Sequence, residues 1–181
     1  MNQNLADELI AMMVADQRLL QQLFDSGELV SGSYHPRLKA LHVNNASRLK
    51  EVLEAYGWPG ISLVGEEGAK AAWLIAQHSV SDTTFMQECV SLIEHDVARG
   101  DVAGWQLAFL QDRVRTLAGE LQYYGTQFDA DENGWPTPFP IADSATVNER
   151  RAQLGLNSLE ERLEQMTERE RKRRTNIQKA N

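Results

Sequence analysis

Several side chains able to carry protons or grip a small polar molecule stand where the hydrophobic pattern of this chain calls for leucine. Asp16 interrupts a stripe of Leu5, Leu9, Met12, Leu19 and Leu23. Asn45 interrupts Leu38, Leu41, Leu49, Val52 and Leu53, with His42 beside it. His78 continues the line of Leu74 and Ile75, and Arg113 sits at the edge of a stripe between Phe109 and Leu117. A buried, ionised carboxylate is costly without a cation or several donors. Asp16 therefore requires a partner, and Arg18, Arg48 and Arg113 are the candidates. One such residue is unremarkable, whereas several on four helices point to one internal place.

The chemistry open to that place is acid–base. An imidazole titrates near neutrality, so His78 can act as general acid or base, with Asp16 orienting it or sharing its proton. Arg113, with Arg150 or Arg151 near it, can hold a carboxylate or phosphate bidentately. Arg18, Asn45 and Gln77 would add contacts to the bound molecule. The stretch from Gln122 to Ile141 is the long interruption in the helical pattern. Tyr124, Thr126 and Gln127 from it are expected to close over the pocket, with Gly125 ending the fifth helix in a left-handed conformation. The plainer reading stays beside this one. An inward histidine is often a satisfied core residue, and an inward aspartate is often half of a structural ion pair.

Sharper motifs are absent: there is no phosphate-binding glycine loop, no G-x-S-x-G elbow and no H-E-x-x-H. Glu88 and His95 have a spacing some di-iron helices use, but with Ser91 they fall on the polar side of their helix. No second helix offers Glu-x-x-His. The expectation is a site without metal or cofactor.

Composition limits the rest. A chain of 181 residues with 42% apolar and 24% charged residues suits one ordinary globular domain. The single cysteine, Cys89, excludes an internal disulfide and a cysteine zinc cluster. No apolar run is long enough to span a membrane, and the acidic N-terminus does not resemble a signal peptide, so a cytoplasmic setting is expected. Residues 159–181 carry 7 Lys+Arg and 5 Asp+Glu, leaving 11 against 21, or −10, on the rest. A body that acidic repels phosphate backbones, which argues against nucleic acid as a partner.

The elements that must position these groups are all helical. Helices are expected over 4–25, 36–56, 66–79, 82–99 and 101–123, then a shorter one over 144–154. Residues 61–65 read as an extended connection. Asp131-Glu-Asn-Gly134 reads as a turn between two short arms able to pair as a hairpin. Ser158-Leu-Glu-Glu161 is a capping box opening a last charged helix, which should be lightly docked and frayed after Arg174. This makes a core over 1–158 and a charged helix and tail over 159–181, with Leu159, Leu163 and Met166 as a thin stripe for the body or for a second copy.

Taken together, Asp16-Gln17-Arg18, Gly57-Trp58-Pro59, Val64-Gly65, Gln77-His78, Asp112-Arg113, Tyr124-Gly-Thr-Gln127, Pro140-Ile141 and Asn148-x-Arg150-Arg151-x-x-x-Gly155-Leu156 form an ordered set. In this set the chain resembles a family of bacterial proteins known only as a domain of unknown function. The resemblance spans about residues 5–165 and implies a single helical domain, with no activity to carry over. Asp16, His78, Arg113, Thr126 and Gln127 lie in its motifs, and His42 does not. The expected function is a metal-independent enzyme acting on a small polar or anionic molecule, by hydrolysis, elimination or cyclisation. A non-catalytic binding module, or a toxin- or immunity-type interaction protein with a structural polar network, are the alternatives.

Overall fold

A computed structural model describes residues 1–29 and 34–180, with side chains through residue 175. The apolar stripes fold as helices in the order expected: the chain is all-α, with one small two-stranded sheet among the described residues. It divides into two compact units, Met1–Ala103 and Gly104–Asn181.

The first unit holds α1 (Gln3–Asp25), α2 (Pro36–Tyr56), α3 (Ile61–His78) and α4 (Thr83–Ala98). Asn2 caps α1, Pro36 occupies the first turn of α2, and the Asp82 carboxylate accepts the Phe85 N–H at the start of α4. α3 is the central helix. Ala69, Ala71, Ala72 and Ala76 are buried on it, and a Cβ at Gly68 would lie 3.4 Å from the Cα of Ala6 on α1. Small residues there let α1 and α3 approach closely. Leu9, Leu23, Leu49, Val52, Ile75, Phe85, Met86 and Ile93 fill the space around them.

One expectation fails at the start of α3. Ile61–Val64 is a helical turn, not an extended connection, and the helix is interrupted at Gly65 (φ 71°, ψ 174°) before continuing. Asp101 explains the turn. Its carboxylate accepts the Ser62 N–H at 2.6 Å and hydroxyl at 2.8 Å, while its carbonyl accepts the Ile61 N–H at 2.9 Å. A partner 39 residues away in sequence leaves no local signal.

The second unit holds α5 (Gly104–Leu117), β1 (Phe128–Ala130), β2 (Pro136–Pro138), α6 (Val147–Gln153) and α7 (Leu159–Ala180). α5 stops at Leu117, six residues short of the expected end, and Leu117 and Leu121 are about half exposed instead of buried. The reason is Asp112. Its fully buried carboxylate accepts the N–H groups of Tyr123, Tyr124 and Thr126 at 2.7–3.1 Å and the Thr126 hydroxyl at 3.0 Å. The chain must turn back to deliver those donors, so it leaves the helix near Gly119 (φ 74°). Gly125 is left-handed (φ 63°), as expected, but it shapes the returning loop and does not end the helix.

The hairpin pairs Phe128 with Pro138 and Ala130 with Pro136. The Asp131 carboxylate accepts N–H groups from Asn133 and Trp135 to close it. The capping box at Ser158 and Glu161 is formed in both directions. Beyond it α7 does not fray after Arg174: it stays helical to Ala180. It is also held to the hairpin, because the Arg174 guanidinium lies 4.1 Å from the Trp135 ring centre and donates to the Asn133 carbonyl at 2.8 Å.

Candidate functional site

Asp16 lies on the inward face of α1 with 1% of its surface exposed. The partners found for it are two histidines. His78, the last residue of α3, donates through Nδ1 to Asp16 Oδ2 at 2.5 Å. His42, on α2, donates through Nε2 to Asp16 Oδ1 at 3.2 Å. Arg48 is instead bound to Glu8 at 2.5 and 3.0 Å and to Glu51, and Arg18 is exposed beside Met13 and Lys70. Arg113 is half-buried in the second unit, next to Asp112.

Helical geometry accounts for the convergence. Leu38, His42, Asn45, Ala46, Leu49 and Val52 are the buried residues of α2, a single stripe at helical spacing. His42 is thus part of the inward face, not beside it. Both imidazoles face one carboxylate, with ring centres 4.8 Å apart and planes inclined at 40°. Tyr34, just before α2, places its hydroxyl 2.6 Å from His42 Nδ1.

The protons can be placed by elimination. Burial pushes the Asp16 carboxyl up, but hydrogen bonds from His42 and His78 and the charge of those rings outweigh it and hold it at about 2. Asp16 is therefore an anion at neutral pH and accepts from both histidines. His78, when neutral, carries its proton on Nδ1 and presents a lone pair on Nε2. His42, when neutral, carries its proton on Nε2 and accepts from the Tyr34 hydroxyl at Nδ1.

The rings border a cleft of about 180 Å³. Val43 and Ala46 supply apolar wall, while Ser47, Lys50, Ser81 and Asp82 supply polar groups. The Lys50 ammonium is 2.7 Å from the Asp82 carboxylate and 5.0 Å from the centre of the Phe85 ring. The His78 side chain keeps 21% of its surface exposed, against 2% for that of Asp16. One end of the pair is thus sealed and the other accessible. Asn45 Nδ2 and both polar atoms of Gln77 are buried without a hydrogen-bond partner among the described residues. Such groups call for a water or a ligand.

The other residues expected to bind a molecule are engaged inside the second unit. The Thr126 hydroxyl donates to Asp112 and accepts from Gln127 Nε2, which also reaches the Phe109 carbonyl. The Tyr124 N–H goes to Asp112, and its carbonyl accepts from Arg151 Nη1 at 2.5 Å. Arg150 donates to the carbonyls of Tyr123, Ala142 and Asp143 and to the Thr146 hydroxyl. Arg151, 1% exposed, also binds the Asn157 carbonyl and side chain. The motif Tyr124-Gly-Thr-Gln127 thus has a structural account within its own unit: it wraps a buried carboxylate. Glu88 and His95 are exposed on α4, the solvated face expected of them.

An all-helical chain with a buried carboxylate shared by two imidazoles is the class that fold and site define. The chain belongs to a family of unknown function, DUF6624, whose model matches residues 3–171 and so takes in both units. Searches of curated proteins and of solved structures return no match. No described helix is long and apolar enough to cross a membrane.

Periodicity flagged Asp16, Asn45 and His78, and it touched His42 without assigning it a role. Tyr34, Ser47, Lys50 and Ser81 carried no comparable signal, since they lie off the apolar stripes.

Proposed function

We propose that the protein is an enzyme that acts on a small polar molecule by acid–base chemistry, with His78 as the proton-transferring group. The observation that carries this is the 2.5 Å Asp16–His78 hydrogen bond, buried at the carboxylate and open to the cleft at the ring. A carboxylate on Nδ1 sets the tautomer in which Nε2 can take a proton, and it stabilises the imidazolium that results. The same carboxylate is braced from its other oxygen by His42, itself held by Tyr34. Asp16 is thereby held through both oxygens, and Nε2 is the His78 nitrogen that the carboxylate does not engage.

Lys50, Ser47 and Ser81 offer donors along the cleft for an oxygen-bearing or anionic substrate. The chemistry is proton abstraction or water activation followed by proton return, within hydrolysis, elimination or cyclisation. It needs no metal in this form. The setting proposed for it is the cytoplasm, in keeping with a free, buried Cys89.

The test is consumption of a substrate from a mixed metabolite extract, followed by mass spectrometry with the full chain. Wild type should deplete at least one small metabolite. His78→Gln and Asp16→Asn should slow that depletion by about 10²–10⁴-fold, the range expected when a general base or its orienting group is lost. Depletion by His78→Gln at the wild-type rate, with its fold intact, would remove the reading.

A further inference from the structure

We infer that Asp16, His42 and His78 also form a chelating site for one divalent transition-metal ion. Three ligand atoms, a carboxylate oxygen and one nitrogen from each ring, lie within 4.8 Å of one another. They come from three different helices, α1, α2 and α3, of one compact unit. A frame of that kind holds ligands without relying on a loop. Two imidazoles and a carboxylate suit zinc, cobalt, nickel or iron(II), and not magnesium or calcium, which prefer all-oxygen sites. Tyr34 supplies the outer contact usual for a ligating histidine, since its hydroxyl meets the ring nitrogen of His42 that faces away from Asp16.

The three side chains are arranged around hydrogen bonds, and ligation requires both rings to close on one ion. Tetrahedral ligands about 2.0 Å from zinc stand roughly 3.3 Å apart. His42 Nε2 stands 3.2 Å from Asp16 Oδ1 and His78 Nδ1 2.5 Å from Asp16 Oδ2, while a set of one ligand atom per residue spans up to 4.8 Å. His78 is the most exposed of the three, which makes its ring the one best able to shift toward an ion. Proton balance is maintained in the neutral rings. The His42 proton moves from Nε2 to Nδ1, where the Tyr34 oxygen accepts it, and the His78 proton moves from Nδ1 to Nε2. No proton is released from neutral rings, but His78 Nε2 no longer has a lone pair. Resting on the acid–base reading above, the metal would therefore switch that chemistry off.

The experiment is calorimetric titration of the tag-free, EDTA-treated full chain with zinc chloride, alongside cobalt(II) absorption. Wild type should bind one zinc per chain and give the intense visible bands of low-coordinate cobalt. His42→Ala and Asp16→Asn should weaken binding at least about 100-fold, and Tyr34→Phe about 10-fold, the effect of an outer-shell contact. His95→Ala, on the exposed face of α4, should bind as wild type does. Binding unchanged in His42→Ala would overturn the inference. So would a wild-type cobalt spectrum indistinguishable from the aqueous ion, a readout that does not depend on the variants folding. If zinc fails to bind while His78-dependent metabolite consumption persists, the metal site falls and the acid–base reading stands. Stoichiometric zinc binding with consumption that requires zinc keeps the metal site and removes the metal-free reading.

Discussion

At the scale of residues, the informative group is Asp16, because the partners found for its carboxylate are imidazoles. An arginine partner would be a permanent cation, whereas an imidazole can donate its N–H to the carboxylate while neutral. The carboxyl, held at about 2, is below the usual aspartate range near 3.9. A depressed carboxyl contributes stability that is fully present above its unfolded value and is lost as pH falls through the folded one. The window is therefore about pH 4 down to about 2. Wild type should lose on the order of 2 kcal/mol across it relative to Asp16→Asn. Urea unfolding of both proteins between about pH 5 and 2 checks this; parallel curves would show that Asp16 is not ionised in the fold as described.

At the scale of elements, the second unit is organised by a carboxylate of the opposite tendency. Burial raises the Asp112 carboxyl, against hydrogen bonds from Thr126, Tyr124 and Tyr123 that lower it. It replaces the helix that α5 would otherwise continue: three backbone N–H groups and a hydroxyl from residues 123–126 end on it. Asp112→Ala leaves those donors buried without an acceptor, at about 1–3 kcal/mol each. The expected loss is at least about 3 kcal/mol in urea unfolding, with helical content nearly unchanged. A loss under about 1 kcal/mol would mean that the loop holds its shape by other contacts. Gly125 belongs to the same device. Its φ of 63° strains any other residue there, and a Cβ would come within 2.7 Å of the Leu159 Cδ1 and 3.0 Å of the Ile141 Cδ1, which would have to shift.

At the scale of the whole molecule, all three residues of the cluster and the cleft they border belong to Met1–Ala103. That unit has its own core of leucine, alanine, valine, isoleucine and phenylalanine side chains. Residues 1–103 produced alone should therefore fold, giving a helical circular dichroism spectrum and a cooperative thermal transition. A fragment without such a transition would show that the two units need each other for stability. The helices themselves were legible in the chain, because caps, glycines and apolar spacing are local properties. Pro36, the pair Ser81-Asp82 and Ser158 marked their helix starts for that reason, and at the pair it is Asp82 that caps. Asp16 and His78 were also legible, as polar residues on apolar stripes. Three things depended on contacts distant in sequence. Asp101 turned residues 61–64 into helix, Asp112 cut α5 short, and His42 took the place expected of an arginine beside Asp16. A stripe tells that a carboxylate points inward. Which cation meets it is decided by how three helices pack, and the sequence carries that information only through the whole fold.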